Sequence, residues 1–174
     1  MGIGFKEASG TLIENNEIIY CGVGIGSDLS PFQPDSTIEV RGNRFAYNGI
    51  GIMFNSETGG NNMVDNIFEG NLTQVSYGGR GDNNNSARNT WAGNYWDDYQ
   101  GFDRNGDGVG DRTHELYSYA DKIWIEMPVA RFFRSSPVME LLDFLERLAP
   151  FSKPDLILRD EKPRFLKPAR TAPS

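Results

Sequence analysis

Asparagine recurs in this chain at Asn16, Asn43, Asn66 and Asn89, spaced 27, 23 and 23 residues apart. Each is followed two residues later by a large apolar side chain: Ile18, Phe45, Phe68 and Trp91. The last three carry a second asparagine five residues on, at Asn48, Asn71 and Asn94, with Cys21 in that slot of the first copy. A period in this range is the mark of stacked coils. Seven residues after each leading asparagine comes an alternating pair: Val23 and Ile25, Ile50 and Ile52, Thr73 and Val75. Alternation puts the first and third residues on one face of a strand. Leu12-Ile13, Ile38 with Val40, and Met63-Val64 supply a further short strand ahead of each asparagine. So many short strands in so short a repeat leave no room for a helix. The pattern predicts an all-β parallel β-helix, its coils stacked roughly 4.8 Å apart.

Asparagine suits a repeated corner because it tolerates the left-handed backbone and its amide bonds to nearby backbone. Stacked along the axis, the amides of Asn16, Asn43, Asn48, Asn66, Asn71, Asn89 and Asn94 can form a structural ladder. Gly2-Ile3-Gly4-Phe5 matches Gly22-Val23-Gly24-Ile25 and Gly49-Ile50-Gly51-Ile52, so the chain opens in the second half of a coil. Solenoids normally begin with a capping element, and this opening leads to the expectation of a C-terminal part of a longer β-helix.

Four regions follow. Residues 1–96 hold the coils, with an insertion around Pro31-Phe32-Gln33-Pro34, and residues 97–112 are acidic and Gly-rich. Residues 113–150 hold a strand-like Lys122-Ile123-Trp124-Ile125 and an amphipathic helix, and residues 151–174 a Pro-rich tail. Ser136 is the expected N-cap, Pro137 the first helical residue and Pro150 the stop. Val138, Leu141, Leu142, Leu145 and Leu148 make one apolar face, which either caps the last coil or docks a partner.

Net charge narrows the function classes. A formal charge of −7 with pI near 4.7 gives no basic face for nucleic acid, and no run of about 18 apolar residues is present to span a membrane. Cys21 is the sole cysteine and His114 the sole histidine, which excludes an internal disulfide and a His-rich copper or zinc site within this chain. One stretch is dense in oxygen ligands. Asp103, Asn105, Asp107 and Asp111, at positions 1, 3, 5 and 9 with Gly108 at 6, match the start of a Ca²⁺-binding loop. The place where a bidentate Glu closes such a loop is taken by His114. The metal-free alternative is a turn network in which these side chains bond backbone amides.

The chain also resembles a known family. Asn94-Tyr95-Trp96-Asp97-Asp98-Tyr99, Gly101-Phe102-Asp103 and Asp107-Gly108-Val109-Gly110-Asp111 are similar to NosD proteins. The similarity continues through Pro128-Val129-Ala130-Arg131-Phe132-Phe133 and Leu142-Asp143-Phe144-Leu145-Glu146-Arg147 to Leu158-Arg159-Asp160. The resemblance implies a right-handed parallel β-helix exported to the periplasm. It also implies a non-enzymatic role in assembling the copper–sulfur centre of nitrous oxide reductase. The implied partners are a NosF–NosY-type ABC transporter and the reductase or its copper chaperone. Copper enters by family association alone, since no ligand set is visible in this chain. The competing class is a β-helix carbohydrate-active enzyme or a carbohydrate-binding module. Glycoside hydrolysis needs two carboxylates across a cleft, and the coil strands are short of carboxylates.

Overall fold

A computed structural model describes residues 1–55, 59–78, 89–118 and 155–168. Its strands, numbered in chain order, repeat in threes. After β1 (Ile3–Lys6), one coil comprises β2 (Leu12–Glu14), β3 (Glu17–Ile19) and β4 (Val23–Asp28). The next comprises β5 (Ile38–Arg41), β6 (Arg44–Ala46) and β7 (Ile50–Asn55), and the third β8 (Asn61–Val64), β9 (Ile67–Glu69) and β10 (Thr73–Gly78). The last adds β11 (Thr90–Ala92) and β12 (Tyr95–Trp96), followed by β13 (His114–Ser118) and β14 (Asp155–Asp160). Equivalent strands pair in parallel to give three sheets, ordered β1-β4-β7-β10, β3-β6-β9-β12 and β2-β5-β8-β11-β14-β13. The one antiparallel partner among the described strands is β13, which lies against β14. This is a parallel β-helix. The helix expected after Ser136 and the strand at Lys122–Ile125 lie outside the described residues.

The alternating residues build the core as columns along the axis. Ile3, Ile25, Ile52 and Val75 form one column, and Ile13, Val40, Met63 and Trp91 a second. The third is Ile18, Phe45, Phe68 and Trp96. In that column Phe45 stacks on Phe68 at 4.9 Å and Phe68 on Trp96 at 4.3 Å between centroids, with ring planes 14° and 6° apart. Stacked pairs of this kind contribute about 0.5–1.5 kcal/mol beyond the burial of their surface.

The last coil is registered differently from the spacing evident in the sequence. Asn94, not Asn89, follows Asn66 along the ladder, 28 residues on, and Trp96, not Trp91, sits against Phe68. Asn89 instead continues from Asn61 at a third corner. The chain spells Asn-x-Trp twice, at Asn89 and at Asn94. The stretch between β10 and β11 is longer than a constant period allows, so the second copy takes the core position.

The corners divide labour between two residues. The left-handed residue is the one before the ladder asparagine: Asn15, Gly42, Asp65 and Gly93, with φ of 57, 63, 55 and 67°. A second corner repeats this at Tyr20, Tyr47 and Gly70 (54, 56 and 62°), ahead of Cys21, Asn48 and Asn71. Left-handed backbone costs a non-glycine residue about 1–2 kcal/mol. The ladder asparagine thus turns its side chain, rather than its own backbone, to the stacking.

Candidate functional site at the closing end of the coil stack

The ladder has a direction. Asn16 donates its backbone N–H and its Nδ2 to Oδ1 of Asn43, at 3.0 and 2.9 Å. Asn43 does the same to Asn66 at 3.0 and 3.2 Å, and Asn66 to Asn94 at 3.0 Å for both. Asn94 then donates both groups to Oδ2 of Asp160, at 3.0 and 2.9 Å. The second ladder runs from the N–H of Cys21 to Asn48 and on to Asn71. Asn71 donates to Gln74, and Gln74 to Oδ1 of Asp97 at 2.6 Å. Both chains of donors therefore end on a carboxylate, which accepts and has nothing to hand on.

The segment that supplies Asp160 falls within the Pro-rich tail of the sequence, but it forms β14 and one more rung. Trp91 pairs with Asp160 and Tyr95 bridges to Arg164, both in parallel sense. Arg164 Nη2 lies 2.6 Å from Asp65, and Lys167 Nζ 2.7 Å from Glu69. Lys167 extends a charge row, Glu17–Arg44–Glu69, along one sheet. Lys167 and Arg44 together hold the Glu69 carboxyl below its ordinary value.

His114 closes the aromatic column. Its ring stacks on Trp96 at 4.8 Å and meets the edge of Tyr99 at 5.9 Å. The side chain is 7% exposed, with Nε2 3.6 Å from Oδ1 of Asp98. Burial lowers its pKa below 6.5, against the opposing pull of Asp98, Asp160 and Asp97. A histidine whose pKa falls on folding stabilises the fold above its unfolded value, and that contribution is lost as the pH drops through the folded value. Melting temperature is therefore expected to hold above about pH 6.5, the ordinary histidine value, and to fall below it. His114→Phe, which keeps a stacking ring without a titrating group, should flatten that acid-side slope, as thermal melts across the pH range will show.

The acidic loop places its ligand candidates on backbone donors. Asp103 accepts from the N–H groups of Gly106 and Gly108 at 2.7 and 2.9 Å. Asp107 accepts from Val109 at 2.8 Å and Asp111 from Arg104 at 2.7 Å. Asn105 joins Asp107 through side chain and backbone. Gly106 and Gly108 take φ of 73 and 81°, the conformation such tight turns require. Among the described residues, no three His, Cys, Asp or Glu side chains gather as a metal-ion site would require.

Cys21 and His114 do not come together to hold copper. Cys21 lies in the first full coil and donates its Sγ–H to the carbonyl of Ile19, while His114 stacks beyond the last. Successive rungs of roughly 4.8 Å keep the thiol and the imidazole from sharing an ion. The residues at this end that sequence reasoning missed are Asp160, Asp97, Gln74 and Asn61. Asp160 sits 66 residues from its ladder partner, beyond the reach of any repeat.

Fold and end together define a class: a parallel β-helix repeat protein with internal asparagine ladders, closed by a docked strand. A family model described as "Periplasmic copper-binding protein (NosD)" matches residues 1–101. The chain is also 36% identical over 131 residues to the "Probable ABC transporter binding protein NosD" of Pseudomonas aeruginosa, covering 75% of this chain and 30% of that protein. A protein of the same name from Stutzerimonas stutzeri is 33% identical over 118 residues, covering 66% and 26%. This chain belongs to the NosD family, and it spans less than a third of the length of these two relatives.

Proposed function

We propose that the chain is a non-enzymatic, periplasmic accessory in the assembly of the copper–sulfur centre of nitrous oxide reductase. In this reading it works with an ABC transporter of the NosF–NosY type and with the reductase or its copper chaperone. The observation that carries it is the family match across the coils, residues 1–101. The names of the two relatives, which describe a transporter-binding protein, point the same way. Within this chain the buried corner asparagines are committed to ladders and the buried aromatics to stacking, which suits a rigid surface for protein contacts. The reading routes no copper through Cys21 or His114.

The test is genetic and spectroscopic. Deleting the gene in its source organism should leave a reductase that is made and exported but lacks the copper–sulfur centre. Nitrous oxide reduction should disappear and return with the intact gene. A deletion strain with a fully loaded, active reductase overturns the proposal.

For the loop at Asp103, Asn105, Asp107 and Asp111 we favour the metal-free turn network, because each of its carboxylates already accepts a backbone N–H. Chelator and millimolar Ca²⁺ are expected to leave the melting temperature unchanged. A cation held at a hundredfold excess over its Kd would add about 2.7 kcal/mol, so a rise of several degrees with Ca²⁺ would restore the calcium reading.

A further inference from the structure

We propose that residues 155–168, together with β13 paired to them, form a releasable closing rung, which detaches and re-docks as a unit while the coils beneath stay folded. The rung is held unlike those before it. β5 pairs with β8 along Ile38–Arg41, and β8 with β11 along Thr90–Ala92. β11 meets β14 at Trp91 opposite Asp160, and β12 meets the segment at the bridge from Tyr95 to Arg164. Besides those pairings, Gly93 N–H donates to the Lys162 carbonyl and Arg164 N–H to that of Asn94. On its outer side β14 pairs with β13 from His114 opposite Asp160 to Ser118 opposite Asp155, and Gly110 and Phe165 donate to the Pro163 and Gly108 carbonyls, so β13 moves with it.

Charge supplies much of the remaining cohesion. Asp160 takes three donors on one oxygen: the N–H and Nδ2 of Asn94, and Nε1 of Trp96 at 3.2 Å. Arg164 and Lys167 reach back to Asp65 and Glu69 with side chains about two-fifths exposed. Exposed pairs are screened by salt and individually weak. Under the rung, Nε1 of Trp91 is buried without a hydrogen bond. A polar group left unmet in the interior is costly, and opening lifts β14 from the strand that carries it. Ile157 and Leu158, buried with the core, draw the segment back. These opposing terms give the end of the stack its own opening equilibrium, below that of the whole fold.

Opening also has a chemical consequence. It leaves the three donors on Asn94 and Trp96 converging on an empty carboxylate position beside a free strand edge.

Hydrogen exchange read by mass spectrometry on the full chain tests the proposal. The amides of Asn94 and Arg164, which the rung protects, should exchange together and roughly tenfold faster than those of β6 and β9. Arg164→Ala combined with Lys167→Ala removes two surface contacts without touching the core. It should speed exchange in 91–97 and 155–168 by about another tenfold and leave β5–β9 unchanged. High salt should act on the unmodified chain in the same direction. Exchange at the rate of the coils, or acceleration spread evenly through β5–β9, overturns the proposal.

Discussion

Trp96→Ala is expected to destabilise the chain by about 3–5 kcal/mol, the cost of deleting a fully buried large aromatic. Trp96 is 2% exposed and sits between Phe68 and His114 in the aromatic column. Its removal leaves two rings facing a cavity and takes one of the three donors from Asp160. Trp96→Phe keeps the column but not the indole N–H, and should lose a smaller part of that sum. Urea unfolding followed by circular dichroism measures both, with the midpoint shift as readout. If Trp96→Ala costs less than Trp91→Ala, then Trp91, and not Trp96, occupies the aromatic column against Phe68.

Asn66→Ala should be the most damaging change to the ladder. Asn66 is wholly buried and bonded on both sides. Its Oδ1 receives the N–H and Nδ2 of Asn43, and its Nδ2 donates to the Val40 carbonyl at 2.8 Å and to Asn94. Alanine takes the acceptor from the buried N–H of Asn43 and the side-chain donor from the Val40 carbonyl, while Asn43 Nδ2 keeps the Ile13 and Arg41 carbonyls and Asn94 Oδ1 keeps the backbone N–H of residue 66. Each unmet group costs about 1–3 kcal/mol, so a loss of roughly 3 kcal/mol or more is expected. Asn66→Asp is the sharper probe, because it is nearly isosteric. The acceptor role survives, but the donation to Val40 and Asn94 is lost, and the second oxygen of a buried charge is set against those two acceptors. It should unfold at still lower urea than Asn66→Ala. A ladder that is ornamental would show both variants within a few tenths of a kcal/mol of the parent, the usual span for a neutral surface change.

The two experiments probe features of different legibility. The asparagine at position 66 and its apolar follower Phe68 stand out in the sequence, because each repeat must turn at the same place and bury the same side chain. The partner of Phe68 in the last coil does not stand out. Asn89-Thr90-Trp91 and Asn94-Tyr95-Trp96 offer equivalent words, and the period alone favours the first. Burial decides for the second: only with Asn94 in the ladder do Met63 and Trp91 share one column while Phe68 and Trp96 share another.

The acidic loop marks a different limit. Its oxygens at alternate positions look alike whether they face a cation or the loop's own amides, since Gly106 and Gly108 serve either arrangement. The hydrogen bonds from Gly106, Gly108 and Val109 to these carboxylates become visible only in the tertiary structure. Nor does the sequence show why His114 is present. Its neighbours in the chain are polar and acidic, and its stacking partner Trp96 lies well before it in the chain.

A parallel β-helix can be read from the amino-acid sequence, because a coil repeats its turn and its buried side chains at a near-constant spacing. The same spacing marks most of the corner asparagines, but not Asn61 and not the corner that Asn89 occupies. The tertiary structure alone decided how the stack ends. Asp160, Arg164 and Lys167 occupy a rung from a segment that carries no repeat. They meet what the coils present at that end: an amide ladder needing an acceptor, an indole N–H, and the carboxylates of Asp65 and Glu69. Such complementarity depends on groups brought together from distant parts of the chain, and local spacing holds no trace of it.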